Sequence, residues 1–314
     1  MKLAVVVPIY NEEALLGELK TRLTQVLGGI GIDFEIIFVN DGSSDGSLEI
    51  LKRFAQEDSH VSVVSLSRNF GHQQSITAGL SLASADAVVI MDGDLEDPPE
   101  VIPDLLNKWH EGFKVVTAQR RSRQVAPFKA MLFRAFHRLF QFLSDYPVPL
   151  DSGVFCLLDR APWGQLLAIH ETNRFIPGLR SWIGFRSTTI WYDRGKRHAG
   201  EPKQTSGRLL KYAFDAIFSF SYKPLRLSLI MGLFLFVLSS SYAFVLVILR
   251  ILNINVVSGF TTVSVAILFF GGLMLVSNGI LGEYLGRIYD EVKRRPLYVV
   301  DEVIRNPPGP LADE

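Results

Sequence analysis

Cysteine is nearly missing from this chain, and Cys156 is the only one. A lone thiol excludes an internal disulfide framework and fits a reducing compartment. An excess of charge of either sign is missing too: 32 Lys and Arg face 32 Asp and Glu. That balance argues against a general nucleic-acid binder, which carries a basic surplus. A secretory leader is not expected, because Met1-Lys2 runs into a short apolar stretch that Asn11-Glu12-Glu13 interrupts too early for a signal core. Apolar residues, by contrast, make up 48% of the 314 positions. That share is high for a soluble protein and asks for a membrane segment. The length allows one large core plus an appendage.

The first half alternates β-branched runs with amphipathic segments. "LAVVVPIY" (3–10), "FEIIFVN" (34–40), "VSVVSLS" (61–67) and "AVVIMDGD" (87–94) read as strands. "EEALLGELKTRLTQVL" (12–27) carries Leu15, Leu16, Leu19, Leu23 and Val26 at a helical period. "SLEILKRFAQ" (47–56) and "QQSITAGLSLAS" (73–84) read as further helices. Strands alternating with helices predict an α/β fold with a mostly parallel sheet covered on both faces. Ligands bind such sheets at the carboxyl ends of their strands. Two acidic turns, Asn40-Asp41-Gly42 and Asp92-Gly93-Asp94, fall at such ends.

The second half lacks charge over long runs. Residues 227–249 contain none, and neither do 254–282. Each run is long enough to cross roughly 30 Å of hydrocarbon. Lys223 and Arg226 precede the first run, and Arg287, Lys293, Arg294 and Arg295 follow the second. A two-helix transmembrane hairpin with both chain ends in the cytoplasm is therefore expected. Two stretches rich in Phe and basic residues, 127–143 and 208–225, read as interfacial amphipathic helices, the alternative being core-facing helices. The tail "PLYVVDEVI" after Arg295 is expected to pair with a sheet edge, of its own subunit or of another.

The stretch "VVIMDGDLEDPP" (88–99) stacks Asp92, Asp94, Glu96 and Asp97 at the end of a buried strand. Carboxylates this close repel, and burying them unpaired is costly. A divalent cation resolves the conflict, and hard oxygen donors suit Mg²⁺ or Mn²⁺ bridging to substrate phosphates. The alternative is a solvated acidic turn in which Asp97 caps the helix that starts near Pro98-Pro99.

"VVVPIYNEE", "VNDGSSDGS", "LSRNFGHQQSITAGL" and "MDGDLEDPPEVIPDLL" together closely resemble the nucleotide-sugar domain of family 2 glycosyltransferases. With "RRSR" (120–123), "DSGVFCLLDR" (151–160) and "GILGEYLGRIYDEVKRRPLYVV" (279–300), the chain looks like the polyprenyl-phosphate glycosyltransferase branch, which includes bactoprenol glucosyltransferases and dolichol-phosphate mannose synthases. The resemblance implies a GT-A, Rossmann-like fold. It places Pro8, Tyr10, Asn11 and Glu12 at the nucleotide base and ribose, Asp41 on the base, and Ser67, Arg68 and Asn69 in the same pocket. Asp92 would lie beside the ribose and diphosphate, Asp94 would be the principal metal ligand, and Glu96 would stand near the metal where many relatives carry Gln.

For the acceptor phosphate the candidates are Arg120, Arg121, Arg123, Arg134, Arg138 and Lys203. Lys203 is equally a candidate for the donor diphosphate, and Arg134 and Arg138 for lipid headgroups. Asp151 opens a motif that lies near sugar and acceptor in the family; Val154 and Cys156 replace its usual second Asp and its Arg. Cys156 reads as a small packed residue. His72 reads as an acid or metal ligand, a shaper of the nucleotide pocket, or a cap of the helix beginning near Gln73.

The expected organisation is a core over 1–126, an interfacial helix over 127–146 and an acceptor- and donor-side part over 147–207. A second interfacial helix (208–225), two spans within 226–283 (about 227–249 and 260–282) and a cytosolic tail (284–314) follow. The expected partners are a nucleotide sugar (a UDP-hexose first), a polyprenyl phosphate, the membrane and, in a homo-oligomer, further copies of the chain, with no nucleic acid. The expected chemistry is metal-dependent inverting transfer at a bacterial inner membrane. Transfer of another sugar, such as an amino-arabinose, GlcNAc or mannose, and a non-catalytic sugar-nucleotide adaptor are the competing readings.

Overall fold

The computed structural model describes residues 1–120, 153–193, 223–252 and 259–305. They form two compact units. One holds the residues up to 193 together with 295–305, and the other holds 223–252 and 259–294.

The first unit is an eight-stranded mixed sheet with helices packed on it. Its strands are β1 (Lys2–Ile9), β2 (Asp33–Asn40), β3 (Val61–Leu66), β4 (Ala87–Ile90), β5 (Val115–Arg120), β6 (Cys156–Asp159), β7 (Ser187–Tyr192) and β8 (Val300–Ile304). Their order is β7-β5-β6-β4-β1-β2-β3-β8. The block β4-β1-β2-β3 is parallel, as the alternating strand and helix pattern predicts. β6 runs against β4 and β5, and β8 runs against β3. Val5, Val6, Ile36, Ile37, Val63, Val88 and Val89 are fully or almost fully buried, so both faces of the central strands are covered.

Helix α1 (Leu16–Ile30) buries Leu16, Leu19, Leu23 and Leu27 and ends at Gly31 in the left-handed region. It starts later than the apolar period alone predicts. Residues 10–15 form a turn instead, with Asn11 at φ 55°. Helices α2 (Ser47–Glu57), α3 (His72–Leu82), α4 (Ile102–His110), α5 (Arg160–Ala168) and α6 (Ile176–Trp182) complete this unit. The tail pairs with its own sheet, as β8 on the edge of β3.

The second unit consists of α7 (Lys223–Ile251) and α8 (Phe260–Lys293). Among the described residues one helix is long and apolar enough to cross a membrane, over Leu225–Tyr242 with mean hydropathy 1.6. Its apolar side chains face outward: Leu229, Leu233 and Phe234 are all well exposed. The second expected span falls on α8. Nearly all of both expected interfacial helices lies outside the described residues.

Asp159 joins β6 to α5. Its side chain accepts from the Ala161 amide at 3.2 Å, from Lys114 Nζ at 2.9 Å and from Trp109 Nε1 at 2.9 Å. Burial pushes its pKa up, but these donors outweigh burial and hold it below the usual carboxylate range. A lowered folded pKa stabilises above the unfolded value and is lost as pH falls through the folded one. Asp159→Ala is therefore expected to destabilise the protein by about 1–3 kcal/mol at neutral pH. The difference from wild type should shrink below about pH 4, as read by thermal unfolding. A difference that stays constant down to pH 2 contradicts the assignment.

Candidate active site

The sheet brings four turns to one edge. They follow β1, β2, β3 and β4, which are neighbours in the sheet. Each turn carries residues singled out in the sequence: Tyr10 to Glu12 just after Pro8 in β1, Asp41, Ser67 to Asn69, and Asp92 to Glu96. The turns are tied by backbone approach. A Cβ on Gly42, at φ 63°, would sit 2.5 Å from the Arg68 carbonyl carbon and 2.6 Å from the Asn69 nitrogen. A Cβ on Gly93 would sit 2.4 Å from Ile9 Cδ1, so the acidic turn rests on the end of β1. At Gly42 the neighbours are backbone atoms and φ is positive, so glycine is required there.

Hydrogen bonds finish the join. The Asp41 amide donates to Ile9 O at 2.9 Å. The Asp41 carboxylate, 3% exposed, accepts from the amides of Phe70 (2.8 Å) and Gly71 (3.0 Å). It thereby orders the loop that carries Ser67, Arg68 and Asn69. Arg68 lies over the Phe70 ring at 4.1 Å. The serines of "NDGSSDGS" serve the first turn. Ser43 Oγ accepts from the Asn11 amide (3.1 Å), Asn11 Oδ1 accepts from the Ser44 amide (2.8 Å), and Ser47 Oγ accepts from the Glu12 amide (3.2 Å). Asn11 tolerates its left-handed backbone better than most side chains do. Tyr10 stays 45% exposed, with its ring available at the mouth of this edge.

The acidic turn starts right after β4 ends at Ile90. Its carboxylates point to different partners. Asp92 Oδ1 takes His72 Nε2 at 2.8 Å. His72 opens α3, and no side chain caps that helix. Desolvation opposes a charge on this imidazole, but Asp92, with Asp41 and Asp94 behind it, outweighs desolvation and pushes its pKa up. Asp94 Oδ1 accepts from the Glu96 amide at 3.0 Å, closing a tight turn through Leu95 at φ 58°. Glu96 is 8% exposed.

Asp97 is 1% exposed and does not cap the following helical turn, whose N-terminus has no side-chain cap. It receives Arg120 instead. Arg120 donates Nη2 at 2.9 Å and Nε at 3.2 Å to Asp97 Oδ1, and the Tyr192 hydroxyl donates to the same oxygen. Burial pushes the Asp97 pKa up while Arg120 pulls it down. Burial and Asp97 push the Tyr192 hydroxyl up. Arg120, a candidate for the acceptor phosphate, is thus committed to the acidic turn.

Tyr192 drew no attention in the sequence, since it ends an unremarkable strand, "STTIWY". Arg180, 5% exposed, was missed as well. It donates to Gly153 O at 3.4 Å and lies against Cys156. Cys156 is fully buried and burial pushes its thiol up, as befits a packed residue and not a nucleophile. Arg121, Arg123, Arg134, Arg138, Asp151 and Lys203 lie outside the described residues.

Whether this edge suits a divalent cation turns on donor chemistry. Among the described residues no three His, Cys, Asp or Glu side chains gather closely enough to hold a metal ion by themselves. A cation that bridges to substrate phosphates needs only one or two protein carboxylates. Asp92 and Asp94, on a turn at the strand end, supply that donor type, with Glu96 beside them.

Removing Arg120 leaves a carboxylate at 1% exposure without its cation. Arg120→Ala is expected to lose about 3 kcal/mol, at the low end of the cost of breaking a buried pair because Arg120 itself is part exposed. Arg120→Lys should recover part of that, since an ammonium lacks the planar fork. Thermal unfolding reads both; an Arg120→Ala melting temperature equal to wild type contradicts the role.

Residues 4–167 match the family described as glycosyl transferase family 2. The uncharacterized glycosyltransferase YkcC of Bacillus subtilis (strain 168) is 41% identical over 300 residues, covering 95% of this chain and 93% of its own. The SfII prophage-derived bactoprenol glucosyl transferase of Shigella flexneri is 37% identical over 309 residues, covering 98% of this chain and 100% of its own. Among solved structures, the mannosyl-3-phosphoglycerate synthase of Rubrobacter xylanophilus superposes with a TM-score of 0.50 at 17% identity, over 69% of this chain and 72% of that one. That likeness bears on the fold alone, which is the GT-A, Rossmann-like α/β fold. The match over more than half of the chain, together with the full-length relatives, makes this protein a member of glycosyl transferase family 2.

Proposed function

We propose that the protein moves a hexose, with glucose from UDP-glucose as the first candidate, onto a membrane polyprenyl phosphate and releases UDP. The observation that carries this reading is the end-to-end similarity to proteins named bactoprenol glucosyl transferases, at 36–37% identity over 96–98% of this chain. The edge where β1 to β4 end suits the donor half of such a reaction. Tyr10 and Asn11 would meet the nucleoside, with Asp41, Ser67, Arg68 and Asn69 beside it. Asp92 and Asp94 would hold a Mg²⁺ or Mn²⁺ ion, with Glu96 near it. When bound, the ion neutralises the diphosphate leaving group.

The acceptor is a phosphate monoester whose second pKa is near roughly 6, so its oxygen is largely ionised at neutral pH. That oxygen forms a bond to the anomeric carbon on the face opposite the diphosphate. The bond from that carbon to the diphosphate oxygen breaks, and its electron pair leaves with UDP. The anomeric configuration inverts, and no base has to remove a proton. The work of the protein is to hold two anions together and aim one at the other. His72 orients Asp92, and the Arg120 and Tyr192 pair holds Asp97 and with it the acidic turn. Arg121, Arg123, Arg134, Arg138, Asp151 and Lys203 are proposed to meet the acceptor phosphate and sugar. The apolar helices α7 and α8 are proposed to span a membrane, with the catalytic unit and both chain ends in the cytoplasm.

Full-length protein in detergent, given radiolabelled UDP-glucose, polyprenyl phosphate and Mg²⁺, is expected to yield label in the lipid extract. Asp94→Asn should lower turnover by on the order of 10³-fold while melting within a few degrees of wild type. A lipid-linked product with none of the UDP- or GDP-hexoses leaves the adaptor reading. Wild-type turnover by Asp94→Asn contradicts the metal role.

A further inference from the structure

We propose that the C-terminal strand β8 is a working part of the nucleotide site, because it fixes the entry of the loop that follows β3. The inference rests on the reading of that loop as nucleotide-binding. β3 would otherwise be the outer strand of the sheet, with a row of unpaired N–H and C=O groups. β8 covers it from Val63 opposite Ile304 to Leu66 opposite Val300, with a bulge between Ser65 and Leu66. Where the ladder stops, one more bond continues it: the Ser67 amide donates to Val299 O at 3.0 Å. The loop is thus held at both ends. Val299 holds its entry at Ser67, and the Asp41 carboxylate holds its exit at Phe70 and Gly71. Between them, the backbone of Arg68 and Asn69 is pressed on Gly42.

The same C-terminal segment fixes the helix that leaves the loop. Tyr298 Oη and Ser81 Oγ lie 2.9 Å apart, and Arg305 Nη2 donates to Leu82 O at 3.3 Å, both at the end of α3. The first residue of α3 is His72, which holds Asp92. Glu302 pairs with Lys52 of α2 at 2.6 Å. Residues 298–305 therefore brace both the loop and the helix that carry the donor side of the site. The glycosyl transferase family 2 match ends at residue 167, so this brace lies well outside it. In chain order the brace follows α8, so among the described residues the outer anchor of this loop comes from beyond both long helices.

Single prolines test this. N–H groups of neighbouring strand residues point to opposite sides, so of Glu302→Pro and Val303→Pro one removes a ladder donor and the other does not. In full-length protein, the ladder-breaking proline is expected to raise the Kd for UDP by about tenfold and to speed amide exchange at Ser67. Its KM for nucleotide sugar should rise while its KM for polyprenyl phosphate stays put. The other proline keeps every ladder bond and should raise the UDP Kd and speed Ser67 exchange by less than the ladder-breaking one. Should the ladder-breaking variant fail to fold, Tyr298→Phe decides, with an expected rise in UDP Kd of about threefold for one lost hydroxyl contact. UDP Kd values within experimental error of wild type, for both prolines or for Tyr298→Phe, overturn the inference. Failure of the wild-type protein to bind UDP overturns the nucleotide reading itself, and Ser67 exchange then still reports whether β8 fixes the loop.

Discussion

Asp97 sits at 1% exposure, and a carboxylate in that position is tolerated only with a cation and further donors around it. Arg120 and Tyr192 supply them from the last residues of β5 and β7. The contact therefore does more than neutralise one charge. It fastens the acidic turn, which follows β4, to two strands on the far side of β6. With that side fixed, Asp92 and Asp94 are presented at the sheet edge from a turn that closes on itself through the Glu96 amide. On the near side Gly93 lies on Ile9, and His72 holds Asp92 from α3. The turn is clamped from both directions, which is how a cluster of like charges can stay in place before any substrate arrives.

The turns after β1, β2 and β3 follow the same logic with neutral donors. Asp41 spends its carboxylate on two backbone amides, and the hydroxyl oxygens of Ser43 and Ser47 accept from the amides of Asn11 and Glu12. These bonds order the loops from within. A site made of loops needs such support, because loops contribute little burial of their own. The C-terminal strand fits this pattern: it closes the open edge of β3 and extends the ladder by one bond into the loop.

Much of this was legible from residue patterns. The β-branched runs place β1 to β4 within a few residues of where they lie, and the acidic turns fall at their carboxyl ends as expected. Local pattern failed where a partner is distant. Arg120 and Asp97 are 23 residues apart, and Arg120 and Tyr192 are 72 apart, so no periodicity joins them. Asp97 before two prolines looks like a helix cap, and tertiary pairing overrides that local preference. The start of α1 was misplaced for a similar reason, since Asn11 to Glu13 bond to the turn after β2 and not to the helix. The tail was expected on a sheet edge, but only the fold shows that the edge is β3.

The account turns on one claim: a divalent cation at Asp92 and Asp94 anchors the diphosphate of a sugar nucleotide at the carboxyl edge of the sheet. Crystals of the full-length protein grown with UDP and Mn²⁺, and measured at the manganese absorption edge, test it most directly. The account predicts an anomalous peak bonded to Asp94 and to the diphosphate, with uracil between the turns of Tyr10 and Asp41. Manganese elsewhere, or UDP bound away from these four turns, would contradict it.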